Sequence, residues 1–102
     1  MIKVEVDLAD GGRKIYNLEE PKTKHQKLFY NQVMKAELEK DTDKKAELLM
    51  EMIDIHDRMI SELCLEVKAD AEILENIPAS HKRKMITAIE KEIRLGIEEA
   101  KK

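Results

Sequence analysis

Few residues in this sequence have the types and spacing to do chemistry. The doublet His56-Asp57 could begin a metal-dependent phosphohydrolase site, with His25 and Asp70 as the distant His and Asp it needs. Neighbours on a helix point about 100° apart. His56 also falls on an apolar stripe, so the doublet better fits a histidine in the core or at a helix interface with one hydrogen-bond partner. Glu51-x-x-Asp54 places two carboxylates on one helix face, where they suit a hard divalent cation. The facing pattern such a site needs, Glu-Glu-x-x-Glu, is missing. Glu37 and Glu39 are two apart, and Glu19-Glu20 runs into Pro21. Cys64 has no His or Lys beside it to favour the thiolate, so it reads as a small buried hydrophobe. Gly11-Gly12 sits between two strands rather than at a strand-to-helix turn, which removes the phosphate-loop reading. The expectation is a protein that is not an enzyme, with no catalytic residues, cofactor or metal.

Two basic clusters remain, His81-Lys82-Arg83-Lys84 and Lys22, Lys24, His25 and Lys27. Each lies at the start of an expected helix, where positive charge is unfavourable by a few tenths of a kcal/mol. An anionic partner would explain them, and so would ordinary solubilising charge. Acidic residues surround both clusters and aromatic interleaving is absent, so nucleic acid is not expected as a partner.

The elements that position these groups follow from periodicity. Ile2, Val4, Val6 and Leu8 alternate with Lys3, Glu5 and Asp7, as in a half-buried strand. Asp10-Gly11-Gly12 suits a hairpin turn, and Arg13–Leu18 returns with either Tyr16 and Leu18 or Ile15 facing inward. The hairpin occupies residues 1–20. Helices are expected over 22–40, 43–68 and 79–100, capped by Thr23, by the Asp41-Thr42-Asp43 break and by Ser80, with a short turn over 71–76 after Asp70. The longest helix carries Ala46, Leu49, Ile53, His56, Ile60, Leu63 and Val67 at unbroken 3-4 spacing. Leu48, Met52, Ile55 and Met59 form a second stripe beside it. In the last helix Ile86, Ile89, Ile93 and Ile97 form the buried stripe, and Gly96 marks close packing or a weakened last turn. The fold expected is α+β, mainly α: an N-terminal β-hairpin followed by a bundle of three main helices in a single domain, 1–102.

Composition narrows the function classes. The chain has 102 residues, 40% charged and 42% apolar, with a net charge of −3, one Cys, one Phe and no Trp. One Cys excludes an intrachain disulfide framework. No stretch approaches the roughly 20 apolar residues of a membrane span, and Met1 leads straight into the first strand without a signal-peptide pattern. A soluble, cytoplasmic protein is expected. Met34, Met50, Met52, Met59 and Met85 do the filling that aromatic residues usually do. They make either an adaptable core or an apolar surface for a partner's helices. Two adjacent stripes on the longest helix are more than one small core is expected to cover. Leu48, Met52, Ile55 and Met59 are therefore the candidate partner-binding residues, and a homo-oligomer is expected.

The order of elements resembles a known family. A strand pair with an Asp10-Gly11 turn is followed by Pro21, a charged helical body and an Ile77-Pro78 break before a last amphipathic helix. Over most of the chain this layout is similar to the small tail assembly chaperones of long-tailed bacterial and archaeal viruses. The hairpin departs from those members that are wholly helical. The resemblance implies an oligomeric protein of the host cytoplasm that coats the apolar helical tape measure protein during tail assembly. It also implies that a chain ending at Lys102 is the shorter of two frameshift products. The alternatives are a metal-dependent nucleotide hydrolase of the small all-α type, using Glu51 and Asp54, and a small helical regulatory dimer.

Overall fold

The computed structural model describes residues 1–100, and side-chain surroundings for residues 1–95. The expected packing of Gly96 and burial of Ile97 lie outside the described side chains. Two strands, β1 (Ile2–Asp7) and β2 (Arg13–Leu18), pair antiparallel from Ile2↔Leu18 to Asp7↔Arg13. Gly11 turns the chain at φ +89°, which glycine adopts without strain, and the Gly12 N–H donates to Asp10 Oδ1 at 2.9 Å. Val4 and Val6 face inward with Tyr16 and Leu18, and Ile15 is exposed, which decides the phase of the second strand.

Helices α1 (Thr23–Leu38), α2 (Thr42–Leu63), α3 (Leu65–Ala69) and α4 (Ala79–Ala100) follow, with a 3-10 segment at Ala71–Asn76. The whole is an N-terminal hairpin on a mainly helical body, 69% helix. Asp41 caps α2 by accepting from the Asp43 N–H, and Asp70 caps the 3-10 segment by accepting from the Glu72 N–H. Two expected caps are displaced. The α1 cap is Lys22, one residue before Thr23. The first turn of α4 bonds back to the Pro78 carbonyl, so Ser80 lies inside the helix.

The long helix expected over 43–68 is broken. Cys64 leaves helical geometry at φ −79°, ψ 119° and forms an antiparallel bridge with Leu18. The Glu19 N–H donates to the Leu63 carbonyl at 2.8 Å. The hairpin thus satisfies backbone groups that the break frees. Such groups, buried without partners, would cost stability. Ile60, Leu63 and Val67 are buried on both sides of the break, which is why their spacing gives no sign of it.

The core gathers where the hairpin, the C-terminal half of α2, α3 and α4 meet. Its most buried side chains include Leu18, Met59, Ile60, Leu63, Met85 and Ile89. Helices α1 and α4 pack on two flanks of α2, so the bundle is open. The molecule measures 42 × 39 × 23 Å and its radius of gyration is 14.7 Å, against about 13 Å for a compact chain of this length.

Candidate functional site

The chemical constellations do not converge. His56 is half-buried on α2, and burial pushes its pKa down against the opposing pull of Asp57 and Glu90. Asp57 points to α4, where Lys82 Nζ lies 2.9 Å from its Oδ1. His25 is 1% exposed at the start of α1, where its Nδ1 accepts the Lys22 N–H at 3.0 Å. Its Nε2 therefore carries the proton and donates to Glu62 Oε2 at 2.7 Å. Asp70 is used as a cap. Glu51 and Asp54 are exposed. Among the described residues, no group of three or more His, Cys, Asp and Glu is placed to hold a metal ion.

Cys64 is fully buried, and burial pushes its thiol pKa up. Its Sγ–H donates to Glu66 Oε2 at 3.4 Å. Burial also pulls the Glu66 carboxyl upward, but the Asn17 backbone and side-chain N–H groups hold it below the usual range. Both basic clusters are partly spent inside the fold. His81 is buried, with Nδ1 2.9 Å from the Tyr16 hydroxyl, and Lys82 pairs with Asp57. Lys24 pairs with Glu62 at 3.1 Å. Lys22, Lys27, Arg83 and Lys84 remain exposed.

The candidate partner-binding stripe is not an open face. Met59 is 1% exposed and belongs to the core. Leu48, Met52 and Ile55 are half-buried on the side of α2 that faces α1. Met52, Ile55 and Met59 line a cleft of about 260 Å³ with Phe29, Gln32 and Val33, and Gln32 Nε2 donates to the Leu48 carbonyl at 2.9 Å. The reason is the path of α1, which runs back along this stripe. The exposed apolar residues of α2 are instead Leu49 and Ile53, from the N-terminal half of the other stripe, and Met50. That half extends past the core, so regular spacing continues where nothing packs.

A second groove, of about 550 Å³, lies between α2 and α4. Its apolar side chains are Met52, Ile53, Ile77 and Ile86, and its polar ones include Asp57, Lys82, Arg83 and Glu90. The groove combines two separated stretches of chain, 52–57 and 77–90, so no single motif marks it.

The side-chain ties that hold these helices are likewise long in sequence. Glu62 joins His25, Lys24 and Arg58, and its carboxyl is lowered to about 2, first by the hydrogen bond from His25 and then by Lys24 and Arg58 against the cost of burial. Nothing in the sequence signalled the His25 role, because the expected cap at Thr23 puts Gln26 at the capping-box position, whereas the observed cap at Lys22 puts His25 there. Among the described residues, no helix is long and apolar enough to cross a membrane. Comparison of the chain with models of known protein families, with curated proteins and with solved structures finds no match.

Proposed function

We propose that the chain is a non-enzymatic assembly chaperone or adaptor that binds an apolar helical segment of a partner protein. The observation that carries this reading is the groove between α2 and α4. It is open, floored by Met52, Ile53, Ile77 and Ile86, and edged by the Asp57–Lys82 pair with Arg83 and Glu90. An amphipathic helix laid in such a groove buries its apolar face, while its polar residues meet charges of both signs. The resemblance of its layout to viral tail assembly chaperones extends the proposal to a client: the tape measure protein during tail assembly in the host cytoplasm.

Co-expression with helical segments of a neighbouring long tape measure gene tests this. A segment that stays soluble and co-elutes with the chain is the expected result, and filling the groove with Thr87→Trp should release it. Thr87 is exposed and lines the groove, so the variant should fold. Segments that precipitate with or without the chain would refute the proposal. So would equal binding by the filled groove.

A further inference from the structure

The charges along the α2–α4 groove are unbalanced once their pairings are followed. Asp57 from α2 and Lys82, Arg83 and Glu90 from α4 line it, and by formal charge they cancel. Asp57 is held by Lys82, whose Nζ lies 2.9 Å from its Oδ1. Glu90 is held by Arg94, one turn further along α4, at 2.7 Å. Arg83 is exposed and, among the described residues, has no ion-pair partner. His56 also lines the groove, and burial pushes its pKa down, so it adds no charge at pH 7. The unspent charge of the groove is therefore one guanidinium.

Its position adds to the imbalance. Arg83 stands near the start of α4, where the helix carries a partial positive charge and no acidic residue of the first turn offsets it. A carboxylate brought to this end of the groove is attracted by both, and an ammonium is repelled by both. The chain as a whole has a net charge of −3, so this preference is local and runs against the overall field. The lining residues of α4 run from Ala79 to Glu90, which is about 17 Å, or three helical turns.

We infer, on the reading that a partner's helix fills this groove, that the partner is an acidic amphipathic helix. About three turns of its apolar face lie on Met52, Ile53, Ile77 and Ile86, and a Glu or Asp beside that face pairs with Arg83. The pairing suits arginine, whose planar fork of N–H groups can meet both oxygens of one carboxylate. The groove floor then supplies affinity, and Arg83 selects among apolar helices by the charge on their flank.

The test uses the full chain and three fluorescent peptides about four turns long, which share one Leu face and carry Glu, Gln or Lys on its flanks. By anisotropy at about 50 mM salt, the Glu peptide should bind about threefold to fivefold tighter than the Gln peptide, and the Lys peptide weakest, as an exposed ion pair allows. The differences should shrink at about 500 mM salt. Arg83→Glu should reverse the order. Lys84→Glu makes the same change in net charge at an exposed neighbour outside the groove, and should leave the order as it is. Peptide helicity cancels, because the same three peptides meet every protein. Thr87→Trp should abolish binding of all three. Peptides that bind, are lost from Thr87→Trp and keep their order with Arg83→Glu would overturn the pairing and leave the groove as a helix site. A reversal by Lys84→Glu as well would do the same. Peptides that bind no protein, or bind Thr87→Trp as tightly as wild type, would overturn the groove reading and the inference with it.

Discussion

The Glu62 carboxylate offers the sharpest test of how the fold is held. It lies 2.7 Å from His25 Nε2, 3.1 Å from Lys24 Nζ and 3.4 Å from Arg58 Nε, joining the start of α1 to the end of α2. Its pKa is lowered from 4.5 to about 2, with the His25 hydrogen bond the largest cause. A lowering of that size corresponds to about 3 kcal/mol. The side chain keeps 28% of its surface in water, so solvent screening leaves about 1–2 kcal/mol of that. Glu62→Gln keeps an acceptor for His25 and removes the charge facing Lys24 and Arg58.

The expected loss is about 1–2 kcal/mol at pH 7, or roughly 4–16 °C in Tm at the usual ~4–8 °C per kcal/mol for domains near this size. The sign with pH follows from a folded pKa below the unfolded one. The stabilisation is fully present above about pH 4.5 and is lost as pH falls toward 2, with more than half gone by pH 3. Urea unfolding of both proteins by circular dichroism at pH 7, 5, 4 and 3 measures it. A wild-type-to-variant gap that stays constant from pH 7 to 3 would refute the electrostatic account. No gap at pH 7 would refute the tie itself.

Three further outcomes follow from packing. Leu18→Ala empties a fully buried site at the join between hairpin and helix break, and should cost about 3 kcal/mol in urea unfolding. Tyr16→Phe removes the hydroxyl that meets His81 Nδ1 in the interior. The nitrogen left without its partner should cost about 1–2 kcal/mol, read in the same way. Cys64 should react with an aromatic disulfide reagent far more slowly in the native protein than in urea, because burial both covers the sulfur and raises its pKa.

Some of the fold was legible in the residue order because it depends on local geometry. Strict alternation over Ile2–Asp7 and the Asp10-Gly11-Gly12 turn are enough to specify a hairpin, since a strand's two faces repeat every two residues. The 3-4 spacing of Ile53, His56, Ile60 and Leu63 specifies a helix for the same kind of reason. Asp41 and Asp70 cap because their side chains reach the backbone N–H two residues on. The candidate site was far less legible. Leu48, Met52, Ile55 and Met59 share a helix face, but a period says only that residues share a face. It does not say which element lies opposite.

By itself, then, the sequence determined which segments are strand and helix, where most of them stop, and that α2 carries more apolar surface than one face needs. Only the tertiary structure decided that α1 covers the second stripe, and that the outer half of the first stripe stays in water. It also decided that the helix opens at Cys64 to receive Leu18 and Glu19. Those outcomes turn on contacts between residues tens of positions apart, such as His25 with Glu62 and Tyr16 with His81. Local propensity carries no information about such pairs. Packing selects them: among the described residues, no buried side-chain nitrogen or oxygen is left without a hydrogen-bond partner.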